Sequence, residues 1–159
     1  KLIFMPLEIE RKFLINHNKW NTLPKPQGKL YRQGYLLNDI HKTIRVRLSN
    51  ENAFITIKGK TTGATRSEFE YNIPLTDAKQ LLDNFSNNEI SKTRYNISYR
   101  SKLWEIDVFH GENEGLIVAE IELQSEGEPF DIPDWVTEEV THDPRYYNAN
   151  LAVLPFKSW

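Results

Sequence analysis

Pairs of like-charged residues set two positions apart are the most chemically suggestive feature of this sequence. Glu8 and Glu10, Glu68 and Glu70, and Glu120 and Glu122 place acid beside acid; Arg45 and Arg47, Lys58 and Lys60, and Lys92 and Arg94 place base beside base. In extended backbone, residues two apart share a face, so each pair concentrates one sign of charge. Neighbouring carboxylates repel unless a cation lies between them, and paired glutamate oxygens are donors that hard divalent ions such as Mg²⁺ accept. Neighbouring Arg and Lys repel unless they share an anion, and phosphate suits both the planar fork of Arg and the compact charge of Lys. The acids point to metal and the bases to phosphate.

The elements that carry these pairs read as strands. In residues 7–15, Glu8, Glu10 and Lys12 alternate with Leu7, Ile9 and Phe13; in 43–48, Thr43, Arg45 and Arg47 alternate with Ile44, Val46 and Leu48. The same period of two recurs in 54–60, 67–73, 92–99, 104–108 (Glu105 and Asp107 against Trp104, Ile106 and Val108) and 117–124, with 30–37 as a further candidate. Short breaks at 49–52 and 111–115 read as hairpin turns. One charged strand face is ordinarily the wet side of an antiparallel sheet. Repeated same-sign pairs instead predict faces that converge, in about eight antiparallel strands closed into a barrel without edges. The fold class expected is α+β and mainly β, with a charged, polar interior and a few flanking helices covering apolar outer faces. Helices are predicted at 77–85 with Thr76 as cap, and at 16–23, 134–139 and 146–154.

With 159 residues, one domain is expected, spanning 7–154, with 1–6 read as an N-terminal extension. Net charge is −2, so no global field favours nucleic acid, and any grip on a polyanion must come from local clusters. The absence of cysteine removes thiolate metal sites and Cys nucleophiles, and with no apolar run of membrane-spanning length a cytoplasmic protein is the expectation. Gly59-Lys60-Thr61 is not a P-loop, because the glycine required five residues earlier is Phe54. His17, His41, His110 and His142 lack ligand spacing, and no G-x-S-x-G elbow is present.

Glu8-Ile9-Glu10-Arg11-Lys12 resembles the E-x-E-x-K signature of the CYTH superfamily, the triphosphate tunnel metalloenzymes. The resemblance continues in order through Thr43-Ile44-Arg45-Val46-Arg47, Lys58, Glu68 with Glu70, Lys92 with Arg94, Trp104-Glu105-Ile106-Asp107 and Ala119-Glu120-Ile121-Glu122-Leu123. It ends in 139–146, followed by Asn148, a stretch similar to short bacterial members. The resemblance implies an eight-stranded tunnel in which Lys12, Arg45, Arg47, Lys58, Lys92 and Arg94 bind phosphate. It implies Glu8, Glu10, Glu70, Asp107, Glu120 and Glu122 as ligands of Mg²⁺ or Mn²⁺, with Glu8, Glu10 and Lys12 closest to catalysis and Arg145 and Tyr146 in a lid over one mouth. The reaction implied is metal-dependent hydrolysis of a triphosphate. Inorganic triphosphate, split to pyrophosphate and phosphate, comes first because the short chain offers no evident pocket for an organic group. Thiamine triphosphate or another organic triphosphate, class IV adenylate cyclase chemistry, and a non-enzymatic polyphosphate-binding module are the alternatives. Neither nucleic acid nor membrane is an expected partner, and association into a homodimer is left open.

Overall fold

The computed structural model describes residues 6–159. Its strands are β1 (Leu7–Ile15), β2 (Lys29–Asn38), β3 (Lys42–Leu48), β4 (Ala53–Gly59), β5 (Thr65–Asn72), β6 (Glu89–Tyr99), β7 (Lys102–Phe109), β8 (Ile117–Glu122) and β9 (Val136–Glu139). Three α-helices accompany them: α1 (His17–Thr22), α2 (Leu75–Phe85) and α3 (Asn148–Leu151). All strand pairs are antiparallel, in the order β5-β4-β3-β2-β6-β7-β8-β1-β9, and β5 also pairs with β1.

That last pairing closes the ring, and β1 makes it possible by dividing one of its edges. Leu7–Ile9 pairs with β5, while Phe13 and Ile15 pair with β9 across an irregularity in register. Its other edge runs along β8 from Glu10 to Leu14. Eight strands thus form the ring, as expected, and β9 is a ninth that sequence reasoning read as a helix at 134–139. The reason is positional: once β5 leaves β1 at Ile9, the rest of that edge needs hydrogen-bond partners, and β9 supplies them.

Alternation sends charge inward and apolar side chains outward, the reverse of an ordinary domain, so the outer surface needs cover. On the β1-β6-β7-β8 side, Phe13, Trp104, Ile106, Ala119 and Ile121 are buried under Trp20 of α1 and Trp135. Trp104 is fully enclosed, with Phe13, Phe130 and Trp135 set edge-on to it at 5.5–5.9 Å between ring centroids. On the β2-β3-β4 side, α2 lays Ala78 and Leu82 on Val46 and Ala53. The helix can approach because Gly34 has no side chain: a Cβ there would lie 2.7 Å from Leu82 Cδ2 and 2.9 Å from Ser86 Cβ. A third cluster, Tyr35, Ile90, Phe109, Leu116, Val118 and Leu151, plugs part of the interior beneath the C-terminal segment.

Three local expectations change. The helix α2 starts at Leu75 behind Pro74, and no side chain caps it; Thr76 lies inside the first turn. Asn16 does cap α1, accepting from Lys19 N. The helix expected at 146–154 shrinks to α3, preceded by a 3₁₀ turn at Pro144–Tyr146. Of the segment 1–6, Pro6 accepts a hydrogen bond from Glu68 N at 3.0 Å, and residues 1–5 lie outside the described residues.

Trp104→Ala should destabilise the fold by about 3–5 kcal/mol in urea unfolding, as a large buried aromatic lost to a cavity does. Ile40→Ala, at a side chain 79% exposed, should leave the midpoint unchanged.

Candidate active site

The strand faces that sequence reasoning picked out meet inside the ring, around a cavity of about 820 Å³. Glu8, Glu10 and Lys12 reach it from β1, Arg45 and Arg47 from β3, and Lys58 from β4. Glu68 and Glu70 reach it from β5, Lys92 and Arg94 from β6, and Glu120 and Glu122 from β8. Its wider mouth is bordered by residues of the 38–42 and 59–64 turns and of the 141–153 segment.

Inside, bases and acids interlock. Lys58 Nζ donates to both oxygens of Glu8, at 2.9 and 2.8 Å, and Arg66 Nε reaches the same carboxylate at 3.3 Å. Burial works to raise the Glu8 pKa, but Lys58, with help from Arg66 and Lys12, holds it down at about 2. Lys12 Nζ bridges Glu10 at 2.5 Å and Glu120 at 2.8 Å; burial opposes its charge, yet the two acids raise its pKa well above the ordinary lysine value. Glu10 moves the other way, raised to about 7 by burial and by the neighbouring charges of Glu120 and Glu8, against the pull of Lys12. Arg94 spans Glu105 at 2.6 Å, Asp107 at 2.7 Å and Glu120 at 3.1 Å. Lys92, fully buried, is pushed down to about 8 by desolvation, with Asp107 working against the fall and Arg94 adding to it.

Two arginines are less well served. The carboxylate oxygen that Arg45 and Arg47 approach is Oε2 of Glu70, 3.7 Å from each, and the Nε of both is buried without a hydrogen-bond partner. Arg47 instead lies over the rings of Tyr31 and Phe54, at 5.0 and 5.4 Å. Buried guanidinium N–H groups without acceptors are costly, and the geometry supplies room for an anion beside them.

One expected metal ligand is placed differently. Asp107 is completely buried, does not line the cavity, and accepts from Lys92 Nζ at 2.6 Å and from Arg94 Nε and Nη2 at 2.7 Å each. It stands behind the two bases and holds them, its oxygens accepting three hydrogen bonds from them. The lid assignment shifts too: Arg145 pairs with Asp143 and lies over Trp159, whereas Tyr147, Asn148 and Val153 border the mouth. Asn148 Oδ1 accepts from Lys92 Nζ at 3.1 Å, which ties the C-terminal segment to the interior. Sequence reasoning missed Arg66 and Tyr35. Arg66 carried a signal, since it precedes Glu68 by two and shares its face; Tyr35 carried little, because β2 alternates weakly and shifts register between Tyr35 and Leu37.

The remaining acids fit a hard cation. Glu10, Glu68 and Glu122 are all raised, by burial first and by neighbouring carboxylates in addition, so these oxygens are short of positive charge. Among the described residues no three Asp, Glu or His side chains converge as a ready-made coordination group, because Glu8, Glu10 and Glu120 are turned to lysines and Arg94. The donor chemistry is right, and the ion pairs have to open for it to be used.

A closed antiparallel ring that lines its interior with intermingled acids and bases defines a tunnel protein built for a polyanion and its counter-cations. The chain belongs to the CYTH domain family, which matches residues 6–148. It is 45% identical over 156 residues to an inorganic triphosphatase of Acetivibrio thermocellus, covering 98% of this chain and 99% of that protein. It is 36% identical over 154 residues to an inorganic triphosphatase of Nitrosomonas europaea, covering 92% and 97%. A crystal structure of an inorganic triphosphatase superposes with a TM-score of 0.63 at 35% identity, over 92% of this chain and 94% of that one. The fold is also similar, at a TM-score of 0.62 and 19% identity, to a putative adenylate cyclase from Bacillus halodurans, with 78% and 84% covered.

If Asp107 positions the bases and holds no ion, Asp107→Asn should bind Mn²⁺, measured by water proton relaxation, within about twofold of the unmodified protein. Its affinity for triphosphate should fall about tenfold or more, a loss on the scale of one charged hydrogen bond.

Proposed function

We propose that this protein hydrolyses inorganic triphosphate to pyrophosphate and orthophosphate with the help of divalent cations. The observation that carries the reading is the pair Arg45 and Arg47, buried beside the cavity with unpartnered Nε groups while carboxylates crowd the same interior. A bound polyanion satisfies the arginines and draws Lys12 and Lys58 away from Glu8, Glu10 and Glu120, which frees those acids for cations. The identities to two inorganic triphosphatases, over nearly the whole chain, support the substrate.

Within this reading Lys12, Arg45, Arg47, Lys58, Lys92 and Arg94 hold phosphoryl oxygens, with Arg66 as an addition from the structure. Glu8, Glu10, Glu120 and Glu122 hold the ions, with Glu68 and Glu70 across the ring and Mg²⁺ or Mn²⁺ as the hard ions suited to oxygen donors. Bound divalent ions supply charge neutralisation on the phosphate oxygens and lower the pKa of a coordinated water. The protein supplies alignment and exclusion of bulk water. Arg94 is held by three carboxylates, so its guanidinium is fixed before substrate arrives and costs little reorganisation as charge builds on the leaving pyrophosphate. Lys12 lies between Glu10 and Glu120, where it can follow negative charge from the acids to the phosphate. No further side-chain base is required. Among the described residues no helix is long and apolar enough to cross a membrane.

Phosphate release should be fast from inorganic triphosphate with Mg²⁺ or Mn²⁺, stop with excess chelator, and be much slower from ATP and thiamine triphosphate. Glu120→Gln should lower turnover by about 10²-fold or more, whereas Lys58→Ala should act chiefly on KM. Tight triphosphate binding that needs no metal and leads to no release would make the protein a binding module.

A further inference from the structure

A second, smaller cavity adjoins the interior. At about 240 Å³, it shares Arg47, Arg94 and Glu105 with the larger one and is walled beyond them by Gln27, Lys29 and Asn96. Chain direction places it away from the wide mouth: Lys29 begins β2 and Arg47 is near the end of β3, whereas the 38–42 turn between these strands borders the wide mouth. The head groups of Arg47, Arg94 and Glu105 therefore separate two spaces that open in different directions.

Charge at this partition is unevenly held. Arg94 is held in place by Glu105, Asp107 and Glu120, so it cannot move outward with a departing anion. Arg47 has an unpartnered Nε and only Glu70, at 3.7 Å, as a carboxylate neighbour. Its contacts with Tyr31 and Phe54 are made through ring faces, which let the guanidinium slide without breaking a hydrogen bond. The next cation outward is Lys29, whose partner Glu51 has a side chain 70% exposed, a pair that exchanges readily with solvent ions. The space equals roughly eight water volumes at about 30 Å³ each, enough for a small hydrated anion.

We propose that this smaller cavity is the port through which orthophosphate leaves, passed from Arg47 to Lys29, while pyrophosphate leaves by the wide mouth. The proposal rests on the triphosphatase reading. In that reaction the water oxygen bonds to the terminal phosphorus, and the bond from that phosphorus to the bridging oxygen breaks with its electron pair remaining on pyrophosphate. One orthophosphate is formed, and the proton of the water passes to solvent. In a site with a single mouth the deeper product would wait for the outer one; a second port removes that wait.

The test separates cleavage from release. Triphosphate with Mg²⁺ is mixed with excess enzyme; cleavage is followed by acid quench, and free orthophosphate by a fluorescent phosphate sensor. Gln27→Trp obstructs the port and Lys29→Glu reverses its charge; neither residue lines the larger cavity. With folding checked by circular dichroism, cleavage in both variants should stay within about twofold, while orthophosphate release slows about fivefold or more, so that product release limits turnover. Release that keeps pace with cleavage in both variants overturns the port, as does a parallel loss of cleavage and release. Absence of cleavage in the unmodified protein would instead overturn the activity on which the port depends.

Discussion

Charges enclosed by a ring of strands cannot be left alone, and every other feature of this protein follows from how that requirement is met. Removing an ion from water costs several kcal/mol even after relaxation, so each buried acid needs a base or a metal, and each buried base an acid or an anion. Here Lys58 answers Glu8, Lys12 answers Glu10 and Glu120, and Lys92 and Arg94 answer Asp107. In the proposed function a triphosphate with its cations is another solution to the same requirement, in which phosphate would take the bases and metal the acids. On that reading, binding exchanges one set of ion pairs for another and also supplies acceptors to Arg45 and Arg47, whose Nε groups otherwise have none.

The fold is organised to permit it. A closed ring leaves no edge on which the inward faces could be diluted by solvent, and β1 completes the closure by pairing with β8 on one side and with β5 and β9 in turn on the other. The strand that closes the ring is the same one that carries Glu8, Glu10 and Lys12, so closing the ring and assembling the site are one event. Apolar packing moves to the outside, where Trp20, Trp104 and Trp135, together with α2, perform the work that an ordinary barrel assigns to its interior.

Much of this was legible in the sequence because strand alternation is strict and the charged pairs repeat with it. The ring strands and the inward direction of Glu8, Glu10, Arg45, Arg47, Lys58, Glu120 and Glu122 could be read from residue type and spacing. What could not be read depended on partners distant in the chain. Asp107 has the same inward parity as Glu105, and only the positions of Lys92 and Arg94 beside it show that its oxygens are already committed. The strand β9 looked helical in isolation and is extended because it meets the vacant half-edge of β1. The burial of Tyr35 was hidden by weak alternation in β2 and a register shift beside it, and sequence cannot show that a second, smaller cavity adjoins the first.

The central claim is that anion and metal bind as joint replacements for the internal ion pairs, and their thermodynamic coupling tests it most directly. Triphosphate binding to the Glu120→Gln protein, in which turnover is suppressed, and briefly to the unmodified protein in the cold, is measured by titration calorimetry with Mg²⁺ and with excess chelator. In the unmodified protein Mg²⁺ should tighten triphosphate binding about tenfold or more, a coupling of about 1.4 kcal/mol, and Glu120→Gln should reduce that coupling. Equal affinity with and without Mg²⁺ in the unmodified protein would contradict the account, because phosphate could then take the bases while the buried acids needed no replacement partner.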